Sequence, residues 1–237
     1  ENLLKEPCRF QRVLHRANLD ALSYITPANI NFDNMRRAVD RAKDWVSRAV
    51  DSASGELKKL WNMPADEITD DVRARGRALY SIIDDVVMRF YFAAGIFAGS
   101  KHAPPVNYEQ RGKFYKEIKP LLEKILDASD HSTGGVMFAG TAHHFMQLLN
   151  GVLVYDPKGV LHMANRVTVI AKSGGYNFDF MAVKEVVKLV ESVLADHRVD
   201  VRDPVALEDL LSLLDAFADV GWPEALNLDW RLDEIFR

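Results

Sequence analysis

The sequence predicts an all-α protein, a helical array whose C-terminal half is built from repeated helix pairs, and three observations carry that prediction. Apolar residues recur at steps of three and four along most of the chain. Helix-start signals, a capping side chain before a helix-compatible first turn, recur between those stretches. In the last third, the spacing of these signals repeats.

The first hundred residues (1–100) are predicted to form a bundle of long helices. After Pro7, the positions Phe10, Val13, Leu14, Ala17 and Ala21 step at helical spacing. A long amphipathic segment from about Phe32 to Leu60 follows, with Met35, Val39, Ala42, Val46 and Val50 as its apolar stripe. Met63-Pro64 breaks it. Thr69 is the expected N-cap of a helix running to about Gly99, apolar all round after Ile82, as a helix enclosed by others would be. Ser100 to Val106, with Pro104-Pro105, reads as a linker. Asn107 then caps a helix to about Ser129, with Gln110 completing a capping box and Pro120 expected to kink it.

Residues 107–237 form the predicted repeat region, compatible with one domain continuous with the first. Gly134-Gly135-x-x-Phe138 recurs as Gly174-Gly175-x-x-Phe178, and Ala142 and Leu149 are matched by Ala182 and Leu189, all at an offset of 40 (174 − 134). Each of these helices is followed by an Asp-Pro start, Asp156-Pro157 and Asp203-Pro204, 47 apart (203 − 156). Periods of 40 to 47 fall in the range of HEAT- and armadillo-like helix pairs. In the last pair, Leu207, Leu210, Leu211, Leu214, Phe217 and Ala218 share a face, opposite Glu208, Asp209, Ser212, Asp215 and Asp219. Gly221 ends that helix and Pro223 starts a closing one. The rival, a hairpin pairing residues 166–170 with 176–180, fits the Asp-Pro start and the preceding apolar pattern less well than helix.

Composition narrows the function classes. With 48% hydrophobic and 27% charged residues the chain is not a disordered one. A net charge of −4 gives no general attraction to nucleic acid, although charge is uneven. Residues 199–237 hold ten acids against three basic residues, whereas residues 1–60 hold eleven basic residues against eight acids. The single cysteine, Cys8, excludes an internal disulfide and fits a reducing, cytoplasmic compartment. The apolar stretch from Val86 to Gly99 is too short for a membrane span and carries Arg89. The chain opens at Glu1 rather than Met, which predicts a piece of a longer protein.

Catalytic signatures are weak. His143 and His144 are the most conspicuous candidate metal ligands, but adjacent helical residues point about 100° apart, whereas a helical metal site wants ligands three or four apart. The positions four away are Ala139, Gly140, Gln147 and Leu148, so other helices would have to supply ligands. His-Asp, Glu-x-x-His, His-Glu-x-x-His and Gly-rich phosphate or dinucleotide motifs are missing; the chain has only the reversed Asp130-His131 and Asp196-His197. Asp84-Asp85 could hold a magnesium–diphosphate complex, as in all-α isoprenoid enzymes, yet Met88 takes the place of the third acid and Arg89 can pair with Asp85.

Arg36, Arg37 and Arg41, joined by Lys43 and Arg48 and extended by Arg73, Arg75 and Arg77, are the candidate contact for nucleic acid or an acidic partner. Asp33, Asp40, Asp44 and Asp51 interleave with them and weaken any phosphate-binding field. Trp222 and Trp230 are the candidate partner-binding residues, since Trp is enriched in interface hot spots, and they could equally cap the last repeat.

Gly221-Trp-Pro-Glu-Ala225 and residues 230–237, with Gly174-Gly-Tyr176 and residues 194–198, resemble the C-terminal helical-repeat regions of large bacterial multidomain proteins with NTPase-like or defence-associated effector domains. The resemblance covers about the last hundred residues. It implies a sensing or scaffolding segment without chemistry of its own, and no NTPase motif is present to carry an activity over. The expectation is therefore a non-catalytic protein-interaction or scaffold module, without cofactor, whose partner is another protein or another domain of a parent chain. An unfamiliar helical enzyme using Asp84/Asp85 or His143/His144 is the alternative, and nucleic-acid binding through the Arg-rich helix 33–60 the second.

Overall fold

Helices and short 3-10 turns account for the regular structure of the described residues, and no strand occurs among them. The structure is a computed structural model describing residues 51, 55–60, 62–94, 108–130, 139–173, 180–195, 203–219, 223 and 226–227. The expected helices before residue 51, the 100–106 linker, both Gly-Gly motifs and most of the closing helix lie outside these. The chain divides into two compact units, Glu1–Thr133 and Gly134–Arg237.

In the first unit, a helical segment at 55–60 and a 3-10 turn, Ala65–Glu67, precede α1 (Asp70–Ala93) and α2 (Tyr108–Ser129). Thr69 caps α1 as its sequence predicts, its Oγ1 accepting the Val72 N–H at 3.3 Å. Asp70 and Asp71 add negative charge at the positive end of the helix dipole. The buried set Leu79, Tyr80, Ile83, Val86, Val87, Phe90 and Tyr91 forms a stripe, while Ser81, Asp84, Asp85 and Met88 keep partial exposure. The helix is therefore not enclosed on every side, contrary to the all-round apolar expectation. Residues 95–99, the expected end of this helix, lie outside the described residues.

Helix α2 packs on α1, and its Phe114, Tyr115, Ile118, Leu122 and Ile125 are buried. Phe90 and Phe114 meet edge-to-face at 6.2 Å. Arg111 Nε donates to the Ala94 carbonyl at 2.8 Å, closing the C-terminal end of α1 with a cation. The helix continues unbroken through Pro120, which is exposed. Leu57 is fully buried, and ion pairs Lys124–Asp51 at 2.7 Å and Arg75–Glu56 tie the 51–60 stretch to the two helices.

The second unit comprises α3 (Ala139–Val152), a 3-10 turn Leu153–Tyr155, α4 (Pro157–Ser173), α5 (Phe180–Ala195) and α6 (Pro204–Ala218). Both Asp-Pro starts are realised. Asp156 Oδ1 accepts the Gly159 N–H at 3.1 Å, and Asp203 Oδ1 accepts the N–H groups of Val205 and Ala206 at 3.1 and 3.2 Å. Residues 166–170, the first strand of the rival hairpin, are helical within α4.

Helix α3 packs against α4 and α5, and α4 against α6. Phe145, Leu148, Leu149, Val160, Ala164, Val167, Leu189, Val190, Leu210, Leu213 and Phe217 are almost wholly buried. Each large apolar side chain removed from water contributes about 1.5–3 kcal/mol before conformational entropy is counted. Thr168 Oγ1, buried in the same layer, donates back to the Ala164 carbonyl at 3.0 Å and so needs no partner from another helix.

The stripe of α6 is displaced from the expected one. Leu210, Leu214 and Phe217 of the expected face are buried, joined by Ala206, Asp209 and Leu213, whereas Leu211, expected inside, is 39% exposed. Asp209, expected on the polar face, is 7% exposed. A pattern of leucines at 207, 210, 211, 213 and 214 leaves two nearly equivalent faces, and the chemistry of α4 selects between them.

Candidate functional site

The residues singled out from sequence do not assemble into a reaction centre among the described residues. His143 and His144 lie side by side on α3, half-buried, with ring centroids 5.6 Å apart and planes inclined by 55°. The His143 Nδ1 is buried and makes no hydrogen bond among the described residues. Nowhere among those residues do three His, Cys, Asp or Glu side chains converge as metal ligands would. Asp84 and Asp85 are half-buried on α1 and both engaged by neighbours. The side chain of Arg89, the expected partner of Asp85, lies outside the described residues, as do Arg36, Arg37, Arg41, Trp222 and Trp230. Of the arginines that would extend the basic face, Arg73 pairs with Asp70 at 2.9 Å and Arg75 with Glu56.

The most organised polar constellation joins α4 to α6. Lys158, His162, Asn165, Val169 and Lys172 follow one another at alternating steps of four and three, which places them on one stripe of α4. Three acids answer them, Asp209 of α6 and the two residues that cap it, Asp203 and Asp219. Lys158 Nζ donates to Asp203 Oδ2 at 2.5 Å, and Lys172 Nζ to Asp219 Oδ2 at 2.6 Å. Between these, Asp209 takes the His162 Nδ1–H at 3.0 Å and the Asn165 Nδ2–H at 2.8 Å. The partners are 45, 47, 44 and 47 residues apart from one end to the other, so the two helices run parallel and in register.

Asp209 is what makes this arrangement more than surface pairing. A carboxylate placed between two helices is costly unless its oxygens are hydrogen-bonded, and here both oxygens are engaged. The His162 side chain remains 57% exposed, so its Nε2 edge belongs to the surface. At the start of α6, the hydrogen bond from Lys158 holds the Asp203 carboxyl below the usual carboxylate range. The Ala206 N–H acts in the same direction, against desolvation.

Beside this seam an open cleft of about 790 Å³ runs along α6. Its floor is Val169 of α4 with Pro204, Leu207, Leu211 and Ala216 of α6. Its rim holds Glu208, Asp215 and Asp219 against one cation, Lys172, which is paired with Asp219. Val169 and Leu211, 47% and 39% exposed, are large apolar side chains that the described residues leave uncovered.

Neither the seam nor the cleft stood out in the sequence, although a signal for the seam was present. The 47-residue offset between the two Asp-Pro starts superposes His162 on Asp209 and Lys172 on Asp219. Writing the two helices beneath each other pairs cation or imidazole with acid. No such signal marks the cleft, which depends on which leucine face turns inward. Among the described residues no helix is long and apolar enough to cross a membrane. No protein-family model matches the chain, and no curated protein or solved structure is significantly similar to it.

Proposed function

We propose that this chain is a non-catalytic protein-interaction or scaffold module whose second unit is an array of HEAT-like helix pairs. The observation that carries the reading is the parallel, in-register pairing of α4 with α6. Two helices opened by Asp-Pro at a 47-residue spacing lie side by side, joined at equivalent positions by His162–Asp209 and Lys172–Asp219. The packing of α3 on both α4 and α5 adds to it, since in a stacked array each helix touches its pair-mate and its counterpart in the next pair. Leu149 and Leu189, equivalent at the 40-residue offset, are both fully buried. Stacked pairs present extended surfaces, and the uncovered apolar floor along α6 is the kind of surface a partner would use.

The test is affinity capture on the full chain from a host lysate, with and without nuclease, read by mass spectrometry. One protein recovered in stoichiometric amount and indifferent to nuclease is the expected result. Recovery that vanishes with nuclease would move the assignment to nucleic acid and the Arg36–Arg37–Arg41 segment. Stoichiometric metal, lost on substituting His143 and His144 or Asp84 and Asp85, would move it to an enzyme.

A further inference from the structure

Resting on the reading of the second unit as an interaction module, we propose that the cleft along α6 receives a basic amphipathic helix from a partner protein. Helix α6 carries acids on two flanks. On one, Asp203, Asp209 and Asp219 are met by Lys158, His162, Asn165 and Lys172 of α4. On the other, Glu208 and Asp215 line the cleft, and no cation of the described residues pairs with them. They are seven residues apart, about 10.5 Å along the helix, with Leu211 between them.

The geometry selects a helix over an extended strand. The residues of α6 lining the cleft, from Pro204 to Asp219, follow one another at alternating steps of three and one. That spacing forms the ridge-and-groove surface into which a second helix packs, and it extends about 22 Å, or some four turns. The complementary segment carries Lys or Arg at positions i and i+7, to reach Glu208 and Asp215, and Leu or Met at i+3 and i+4, to cover Leu207, Leu211 and Val169. Residues 223–237 of the chain itself hold four acids against two arginines, the wrong charge for this rim, so that segment is not the occupant.

The test uses the full chain and a fluorescein-labelled, 18-residue synthetic helix with Lys at i and i+7 and Leu at i+3 and i+4, followed by polarisation. The lysine peptide should bind saturably in the micromolar range, and a twin carrying Glu in place of Lys about tenfold more weakly or worse. Glu208→Lys with Asp215→Lys should reverse that preference, and Leu211→Asp should abolish binding; circular dichroism confirms that each variant stays helical. Absence of saturable binding up to about 100 μM overturns the proposal. So does an equal loss when Glu117→Lys and Glu123→Lys, on the first unit, replace the cleft substitutions, because the attraction is then general. A benzophenone side chain at position 211 that cross-links to this chain's own residues, in the same or a second copy, also overturns it. A nuclease-insensitive partner captured equally by the Glu208→Lys/Asp215→Lys variant would leave the interaction module standing and remove the cleft as its site.

Discussion

Asp209 and His162 are 47 residues apart in sequence and 3.0 Å apart in space, the Asp209 carboxylate holding the imidazole Nδ1–H at the seam between two parallel helices. With Asn165 donating to the same carboxylate at 2.8 Å, this acid is the buried centre of a seam flanked by the Lys158–Asp203 and Lys172–Asp219 pairs. Removing it by Asp209→Ala should lower the unfolding free energy by about 1–2 kcal/mol, since Asn165 loses its acceptor while the half-exposed His162 can turn to water. A double-mutant cycle with His162→Ala, measured by urea denaturation, should give a coupling of about 0.5–1 kcal/mol. Strictly additive losses would mean that the contact contributes nothing of its own.

Leu211 and Leu213 are two residues apart but belong to opposite environments. Leu213→Ala empties a fully buried site and should cost about 2–5 kcal/mol. Leu211→Ala, at a position 39% exposed, should stay within about 0.5–1 kcal/mol. Comparable losses at both positions would show that the Leu211 face is covered in solution.

Gly159 tests the Asp156 cap. A methyl group at this position would run into the Asp156 carboxylate that accepts the Gly159 N–H. In an ordinary helix interior Gly→Ala gains about 0.5–1 kcal/mol; here Gly159→Ala should be neutral or destabilising, because the carboxylate must leave its cap. In an Asp156→Ala background the same change should become stabilising. Thermal denaturation of the four proteins decides it, and stabilisation by Gly159→Ala in the native background would contradict the geometry.

Asp203 supplies an acid-dependent contribution. Its carboxyl is held below its ordinary value by Lys158 and by the N–H groups at the start of α6. A lowered native value means that the stabilisation is fully present above the ordinary carboxylate range and disappears as pH falls through that range and below it. Asp203→Asn keeps a cap acceptor but removes the charge. The stability difference between the two proteins, followed by chemical denaturation, should therefore shrink as the solution is acidified over that window. A difference unchanged across the window would mean that the Lys158 pairing is not made in solution.

The sequence by itself determined the all-α class and the starts of α1, α4 and α6. Thr69, Asp156-Pro157 and Asp203-Pro204 act through hydrogen bonds to N–H groups two or three residues away, so the signal and its consequence lie within one turn. The buried stripes of α1 and α2, as at Ile83, Phe90, Ile118 and Ile125, emerged only in the structure, since the apolar run after Ile82 points to an α1 buried all round. Tertiary structure decided which face of α6 turns inward. Its leucines form two adjoining faces of similar hydrophobicity, so periodicity alone could not separate Leu211 from Leu213. The choice fell to partners supplied by α4, where His162 and Asn165 can satisfy a buried Asp209. Burial of that acid turns Leu211 outward and, with Val169, creates the apolar floor of the cleft. Local hydrogen bonds are written in neighbouring residues, whereas the balance between burying a leucine and burying a carboxylate depends on a helix some forty-seven residues away.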